Sequence, residues 1–448
     1  MFQRFQTLVL EAPDRAALID GRSGAIVSRR ELLDRGRAMA AALRQAGLTK
    51  GDLVAVQLPN SVEFVATWLA VLQEGFVLVP IDRDAPEVEV GQILSHFGVK
   101  GLVYRGGQSM RNVDSRPPLP SDARLIKLTS GSTGLPKGIV TSEANLVADC
   151  ENIVSSMGIT ANDLNLGAIP FSHSYGFSNL ISPLILQGTA IVISNDYLPQ
   201  SIIDLCNRFA CTVVPGIPMM FDHLSNVARG DGEFATVRTF ISAGAPLPPS
   251  TSKRFRERFG IDVHTFYGCS ECGGITYDRT GAAVERGTVG AAMDGVTITT
   301  AQARATVKSA SVALGYFVDK SRFEPFQAGT FTTDDLIEAR DDGEIAIVGR
   351  SSDLINTAGK KVNPREIEQI ILQLEGVRQV KVYGEPAGAR GEVVAAAVVA
   401  SPDVTREQVR EFCRTRLSLH KVPRIVKLIE AIPVDERGKV KRAALAAL

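Results

Sequence analysis

Apolar residues in this chain recur at two periods, and the two alternate along roughly the first 270 positions. Ser28 and Glu31 have capping-box spacing and predict a helix running to Gly47, a residue suited to the position just past a helix end. Residues 53–58 form a short apolar run closed by Pro59, which reads as a strand. Asn60 and Glu63 supply the next cap, for a helix through Leu72, and residues 76–81 form the next strand. Further strands are expected at 101–104, 125–129, 139–141, 189–193, 212–214, 239–242 and 263–266, most with helical stretches between them. Continuous apolar strands separated by amphipathic helices imply parallel sheets covered on both faces. Such sheets bind ligands in loops beyond the carboxyl ends of their strands.

The pattern changes after about Gly349. Asn363, Pro364 and Glu366 provide an N-cap, a first-turn proline and an acid at the third helical position, for a helix through Leu374. Strands at 379–383 and 393–399 and a helix near 406–417 complete a compact α+β unit. The fold class is therefore α/β. A large N-terminal domain, 1–349, carries parallel-rich sheets flanked by helices, and a small α+β domain, 350–448, follows a hinge at 349–353.

Composition narrows the class. The chain has 448 residues, 45% apolar and 22% charged, which excludes a disordered tail, a collagen-like fibre and a disulfide-stapled mini-protein. Its 49 basic residues balance 49 acidic ones, leaving no overall electrostatic footprint for nucleic acid or anionic membrane. Six irregularly spaced cysteines fit a reduced compartment. Residues 1–24 lack the order of a signal peptide, and no apolar run reaches the roughly 18–20 residues of a membrane span. A soluble cytoplasmic protein is expected.

The stretch Ser130-Gly131-Ser132-Thr133-Gly134-Leu-Pro-Lys137-Gly138 lies between two strand-like segments. Glycines let backbone amides approach an anion, and Thr129, the loop hydroxyls and Lys137 add donors, so the loop reads as a phosphate cradle. It is not the P-loop of nucleoside triphosphatases. Its glycine spacing differs, Gly138 follows the lysine, and a strand rather than a helix comes next.

Thr129 to Gly138 resembles the signature loop of the adenylate-forming superfamily, which includes acyl-CoA synthetases, peptide-synthetase adenylation domains and firefly luciferase. Five more segments follow in that family's order. Ser242-Ala-Gly244-Ala245-Pro246-Leu resembles its adenine-lining turn, and Tyr267-Gly268-Cys-Ser270-Glu271 its Tyr-Gly-x-Thr-Glu segment. Thr333-Asp-Asp335-Leu is similar to Thr-Gly-Asp-Leu, Gly349-Arg350 to the opening of the hinge motif, and Gly438-Lys439 to the C-terminal Gly-Lys segment. The resemblance implies a distorted barrel-like part in the large domain and a mobile small domain.

It also implies roles. The 130–137 loop would hold the β- and γ-phosphates of ATP, and Glu271, with Thr133, would hold Mg²⁺. Tyr267 would stack on adenine, with Gly244 to Pro246 lining the base pocket and Gly268 and Ser270 beside it. Asp335 would accept from the ribose hydroxyls next to Arg350, and Lys439 would meet both the substrate carboxylate and the α-phosphate. Pro170-Phe-Ser-His173-Ser174-Tyr-Gly176 is similar to the family segment that gates the acyl and pantetheine tunnels. Val214 to Met219 and Cys272 to Gly274, with Gly273 central, would line the acyl pocket. Rotation of the small domain would then bring forward Gly359, Lys360 and Lys361, with Arg424, to meet CoA.

The expected activity is an ATP-dependent carboxylic acid ligase that forms an acyl-adenylate and then an acyl-CoA, most like fatty-acyl members. The alternatives are an aryl-acid CoA ligase, or an enzyme that loads the phosphopantetheine of an acyl carrier protein. Asp334 stands where the family has glycine, Ser352 where it has a hinge Asp or Lys, and the 295–308 stretch looks too short for the family's hairpin. Cys269 and Cys272 spell C-x-x-C, but zinc wants four ligands and a redox site wants a helix start, so neither is expected.

Overall fold

The computed structural model describes residues 1–113, 118–129, 136–227, 233–357, 360–386 and 392–433; the side chains of Asn356, Lys360, Lys361 and Pro386 are not described. The chain divides into two compact units. One comprises Met1–Ile298 with Val307–Phe331, the other Thr299–Thr306 with Thr332–Leu448.

The first unit is built on two sheets. Among the described residues one has nine strands, in the order Ala291–Ala292, Gly273–Tyr277, Val263–Cys269, Thr239–Ser242, Val213–Gly216, Leu164–Gly167, Ala190–Ile193, Ala16–Asp20 and Ile26–Ser28. Its six central strands, Val263–Cys269 through Ala16–Asp20, are all parallel. The other has eight strands, with Ala123–Leu128, Val77–Pro80, Leu53–Gln57 and Gly101–Tyr104 mutually parallel at its centre. The central strands are buried almost throughout, which is why they read as apolar runs. Helices Arg29–Gln45 and Val62–Glu74 pack on this framework, and Trp68 sits fully buried, edge-on to Phe177 at 5.0 Å.

One cap differs from the sequence reading. Ser61, not Asn60, accepts from the Phe64 amide at the start of Val62–Glu74. Asn60 is instead buried, donating to the carbonyls of Gly167, Ile169 and Ser194 and accepting from the Phe171 amide. Those backbone groups lie at or beyond the ends of the strands Leu164–Gly167 and Ala190–Ile193, where the ladder gives out, and one amide side chain bonds four of them.

Most residues of a four-stranded sheet, Thr297–Ala301, Arg304–Lys308, Thr330–Ala339 and Ile345–Arg350, belong to the second unit. The segment expected to lack a hairpin thus forms a tight one, its turn made by Gln302 and Ala303 at φ 50° and 63°. A three-stranded sheet follows. Val377–Pro386 runs antiparallel to Glu392–Ala400, which is parallel to Ile425–Leu428. Helices Pro364–Ile371 and Arg406–Arg414 are capped by Asn363 and by the reciprocal Thr405–Gln408 pair, and both contribute to a core that includes Ile367, Val394, Val398 and Val409. Among the described residues, no helix is long and apolar enough to cross a membrane.

Candidate active site

The parallel pairing of three neighbouring strands of the nine-stranded sheet stops at one level. Gly216 pairs with Ser242, and Ser242 with Thr265, so Gly244, Ala245, Pro246 and Tyr267 emerge side by side at the carboxyl edge where such sheets bind ligands. Gly244 has φ +86°, a left-handed backbone that glycine adopts without strain. Beyond Tyr267 the chain doubles back as an antiparallel hairpin, with Cys269 opposite Gly273, and the turn presents Ser270 and Glu271. A Cβ on Gly268 would lie 2.4 Å from the Gly273 carbonyl oxygen, so only glycine lets the hairpin close.

The glycine-rich loop is the connection of another antiparallel pair. Ala123–Leu128 enters it and Gly138–Ser142 leaves it, with Leu128 opposite Gly138. The Thr129 amide (3.0 Å) and hydroxyl (3.1 Å) both donate to the Lys137 carbonyl and close its neck. Ser130, Gly131, Ser132, Thr133 and Gly134 lie outside the described residues. Lys137 Nζ stands 5.2 Å from the centroid of the Tyr316 ring, and the Tyr316 hydroxyl donates to Glu271 Oε1 at 2.9 Å. The loop lysine, expected at the β- and γ-phosphates, and the hairpin glutamate, expected at their Mg²⁺, thus share a single tyrosine.

The His173 segment meets the same hairpin. Ser174 Oγ is 2.7 Å from Ser270 Oγ, and Tyr175 donates to the Ile241 carbonyl. Gly176 is packed so closely that a Cβ would fall 2.1 Å from the Pro170 carbonyl oxygen. His173 Nε2 faces the Asp82 carboxylate at 3.7 Å, an ion pair when the imidazole is protonated. Gly273 and Gly274 abut Asp149, a buried carboxylate that accepts from the Gly274 amide at 2.9 Å and from Ser178 at 2.6 Å. Val214 is fully buried in a core cluster with Leu166, Val192 and Met220, whereas Met219 is 39% exposed on the helix Pro218–Ser225.

In the second unit Asp335 and Arg350 face each other across an antiparallel pair, and Arg350 Nε donates to Asp335 Oδ1 at 2.8 Å. Asp335 is buried while the Arg350 side chain is more than half exposed, so the arginine fixes the carboxylate from the solvent side. The two departures noted in the sequence meet here: the Ser352 amide donates to Asp334 Oδ2 at 3.2 Å. Lys360 and Lys361 lie on a strand paired with Ile355–Thr357. Arg424 is exposed, and its carbonyl accepts from Arg410. Gly359 and Lys439 lie outside the described residues.

Among the described residues no three or more His, Cys, Asp or Glu side chains converge as metal ligands. A single carboxylate fits Mg²⁺, which favours one or two carboxylates plus substrate phosphates. Cys269 and Cys272 do not form a disulfide. Their mutual hydrogen bond, followed by burial, pushes the Cys269 thiol well above its ordinary range, the opposite of a reactive thiolate. Sequence reasoning missed Tyr316, Asp82 and Asp149. Of these only Asp149 carried a signal, an acid on the apolar face of the helix Glu143–Met157.

Residues 5–117 and 104–304 match the family model described as AMP-binding enzyme, and residues 366–439 match the AMP-binding enzyme C-terminal domain. The chain is 27% identical to a feruloyl-CoA synthase of an Amycolatopsis species, over 93% of each chain. It is 28% identical to a long-chain-fatty-acid–CoA ligase of Mycobacterium tuberculosis, over 90% of this chain and 89% of that one. Among solved structures, ATP-bound MatB from Rhodopseudomonas palustris superposes with a TM-score of 0.86 at 26% identity, covering 100% of this chain and 98% of that one.

Proposed function

The chain belongs to the AMP-binding enzyme family and is an AMP-forming acid–thiol ligase; from that premise we propose that it activates a fatty or other apolar carboxylic acid and transfers it to CoA. The observation that carries the site assignment is the Lys137–Tyr316–Glu271 chain, which joins two motifs expected to grip one triphosphate.

In the first half-reaction a carboxylate oxygen attacks the α-phosphorus of ATP, and the bond to pyrophosphate breaks with its electron pair leaving on pyrophosphate. Two anions must meet, so the chain has to supply positive charge and fixed donors there. Lys137 and the loop amides would hold the β- and γ-phosphates, and Lys439 would bridge the carboxylate and the α-phosphate. Tyr267 and the Gly244–Pro246 turn would hold the adenine, and Asp335, fixed by Arg350, the ribose. Glu271 and Thr133 would hold Mg²⁺, which when bound neutralises phosphate charge and acts as a Lewis acid. In the second half-reaction the CoA sulfur attacks the acyl carbon, the thiol proton passes to solvent, and AMP leaves. His173, with Ser174 and Gly176, would stand at the acyl entrance, and Gly359, Lys360 and Lys361 would meet the pantetheine and phosphates. The functional joint is proposed at 349–353, between a large domain 1–349 and a mobile small domain 350–448, in cytoplasm.

A second reading, an aryl acid as substrate, is favoured by the similarity to a feruloyl-CoA synthase. Exchange of labelled pyrophosphate into ATP across a panel of fatty, aryl and dicarboxylic acids tests both. Exchange strongest with apolar aliphatic acids, and lowered at least about 100-fold in Lys439→Ala, is expected for a group stabilising transition-state charge. Strongest exchange with a cinnamic-type acid selects the aryl reading, and none with any acid refutes both. Thioester formation on free CoA, compared with a phosphopantetheinylated carrier protein, decides the acceptor.

A further inference from the structure

Tyr316 belongs to none of the segments that carry the resemblance, yet it touches two of them. Its strand, Gly315–Asp319, lies antiparallel to the strand that leaves the glycine-rich loop, with Tyr316 opposite Ile139 and Phe317 opposite Gly138. Side chains alternate along a strand, so Lys137, two residues before Ile139, falls on the same face and on the diagonal from Tyr316. That register places the ammonium over the ring. On its other edge the same strand pairs Tyr316 with Glu324. The ring is wedged edge-on against Phe326 at 4.7 Å, with Phe331 at 6.4 Å. Backbone pairing and aromatic packing therefore fix where the hydroxyl points, and it points at Glu271 Oε1.

We propose that Tyr316 is a positioning residue for nucleotide-bound magnesium. Its hydroxyl orients the Glu271 carboxylate, and its ring face holds Lys137 at the mouth of the phosphate loop. This rests on the reading of Glu271 and Lys137 given above. A carboxylate on a turn can rotate freely, and a lysine side chain carries about 2 kcal/mol of rotamer entropy. One rigid residue that restrains both removes part of the ordering cost when the metal and phosphates arrive. Groups that orient a metal-binding carboxylate typically account for about 10- to 100-fold in metal affinity.

The test is calorimetric titration of the full chain with MgATP, and with ATP in EDTA. Tyr316→Phe keeps the ring and its packing but loses the donor; it is expected to weaken MgATP binding about tenfold and to leave metal-free ATP binding unchanged. Tyr316→Leu, which also removes the ring face under Lys137, is expected to weaken both. In a Glu271→Gln background the further effect of Tyr316→Phe should vanish, because a group acting through another has nothing left to orient. Parental MgATP affinity in Tyr316→Phe, or an equal loss with and without metal, overturns the proposal. If the parent binds MgATP but exchanges no pyrophosphate with any acid, the ligase reading falls while the titrations still decide Tyr316. If it binds no nucleotide, both fall.

Discussion

Burying an ionised carboxylate costs several kcal/mol unless hydrogen bonds replace its water. Asp149 stands among Leu146, Cys150, Ile153 and Met157 on the buried stripe of its helix, and Ser178 and the Gly274 amide supply those bonds. Gly273, at φ +76°, has no Cβ because the Asp149 carboxylate occupies that space, 2.1 Å from where the carbon would be. Asp149 therefore pins the hairpin that carries Ser270 and Glu271. Asp149→Ala leaves the Gly274 amide and the Ser178 hydroxyl buried without an acceptor, and should destabilise the chain by about 2–4 kcal/mol. Urea unfolding measures this, and a change below about 0.5 kcal/mol would remove the structural role. At this scale legibility was uneven. An acid within an apolar helical stripe can be read from spacing alone. Tyr316 cannot, because a tyrosine in an amphipathic strand looks the same whether its hydroxyl meets solvent or Glu271, and both its partners are far away in sequence. Asn60 shows the converse: a good N-cap residue by local chemistry, claimed instead by the ends of two strands.

Elements were read most closely where burial on both faces left no ambiguity of period. Val77–Pro80 falls within the expected 76–81 and Thr239–Ser242 matches the expected 239–242, and both are buried along their whole length. The turn at Gln302 and Ala303 could not be anticipated, since a tight hairpin with two positive φ angles normally announces itself with Asn or Gly. The joint between the helix Glu143–Met157 and the strand Leu164–Gly167 depends on one acid. Burial pushes the Asp163 carboxyl up, but hydrogen bonds from Arg238, the Thr160 amide and the Thr212 hydroxyl outweigh it and hold it at about 2. Arg238 also donates to the Gly158 carbonyl at the end of that helix, so the ion pair ties helix to sheet. A carboxyl whose folded pKa lies below its unfolded value of about 3.9 stabilises the fold above that value. The contribution is lost as pH falls from about 4 towards 2. The unfolding free energy of the parent should therefore drop more steeply across this window than that of Asp163→Asn, with the difference between them shrinking towards pH 2. Parallel curves would show that the acid is not linked to folding.

For the whole molecule, what the sequence preserved was the order of the motifs rather than the chemistry of the acid. Glycine-rich loop, adenine turn, Tyr267–Glu271 hairpin, Asp335, Arg350 and Lys439 follow one another in the family's order, and each is assigned above to a part of ATP, which is common to the reaction of every acid. The acyl side has no such constant partner. Feruloyl and long-chain fatty acyl ligases accordingly resemble this chain to nearly the same degree, at 27% and 28% identity. The two half-reactions also make opposite demands. Adenylation needs a cation between two anions, which is the role assigned to Lys439; thiol transfer needs that cation no longer and needs an open path for the thiol, which is assigned above to Gly359. The steps should therefore separate by mutation. Lys439→Ala is expected to lose pyrophosphate exchange while still converting a supplied acyl-adenylate and CoA to thioester at close to the parental rate. Gly359→Trp should exchange pyrophosphate normally but lose at least about tenfold in thioester formation, since bulk at the passage displaces the attacking sulfur. If both variants lost both activities together, a single site without a change of arrangement between steps would account for the chain better.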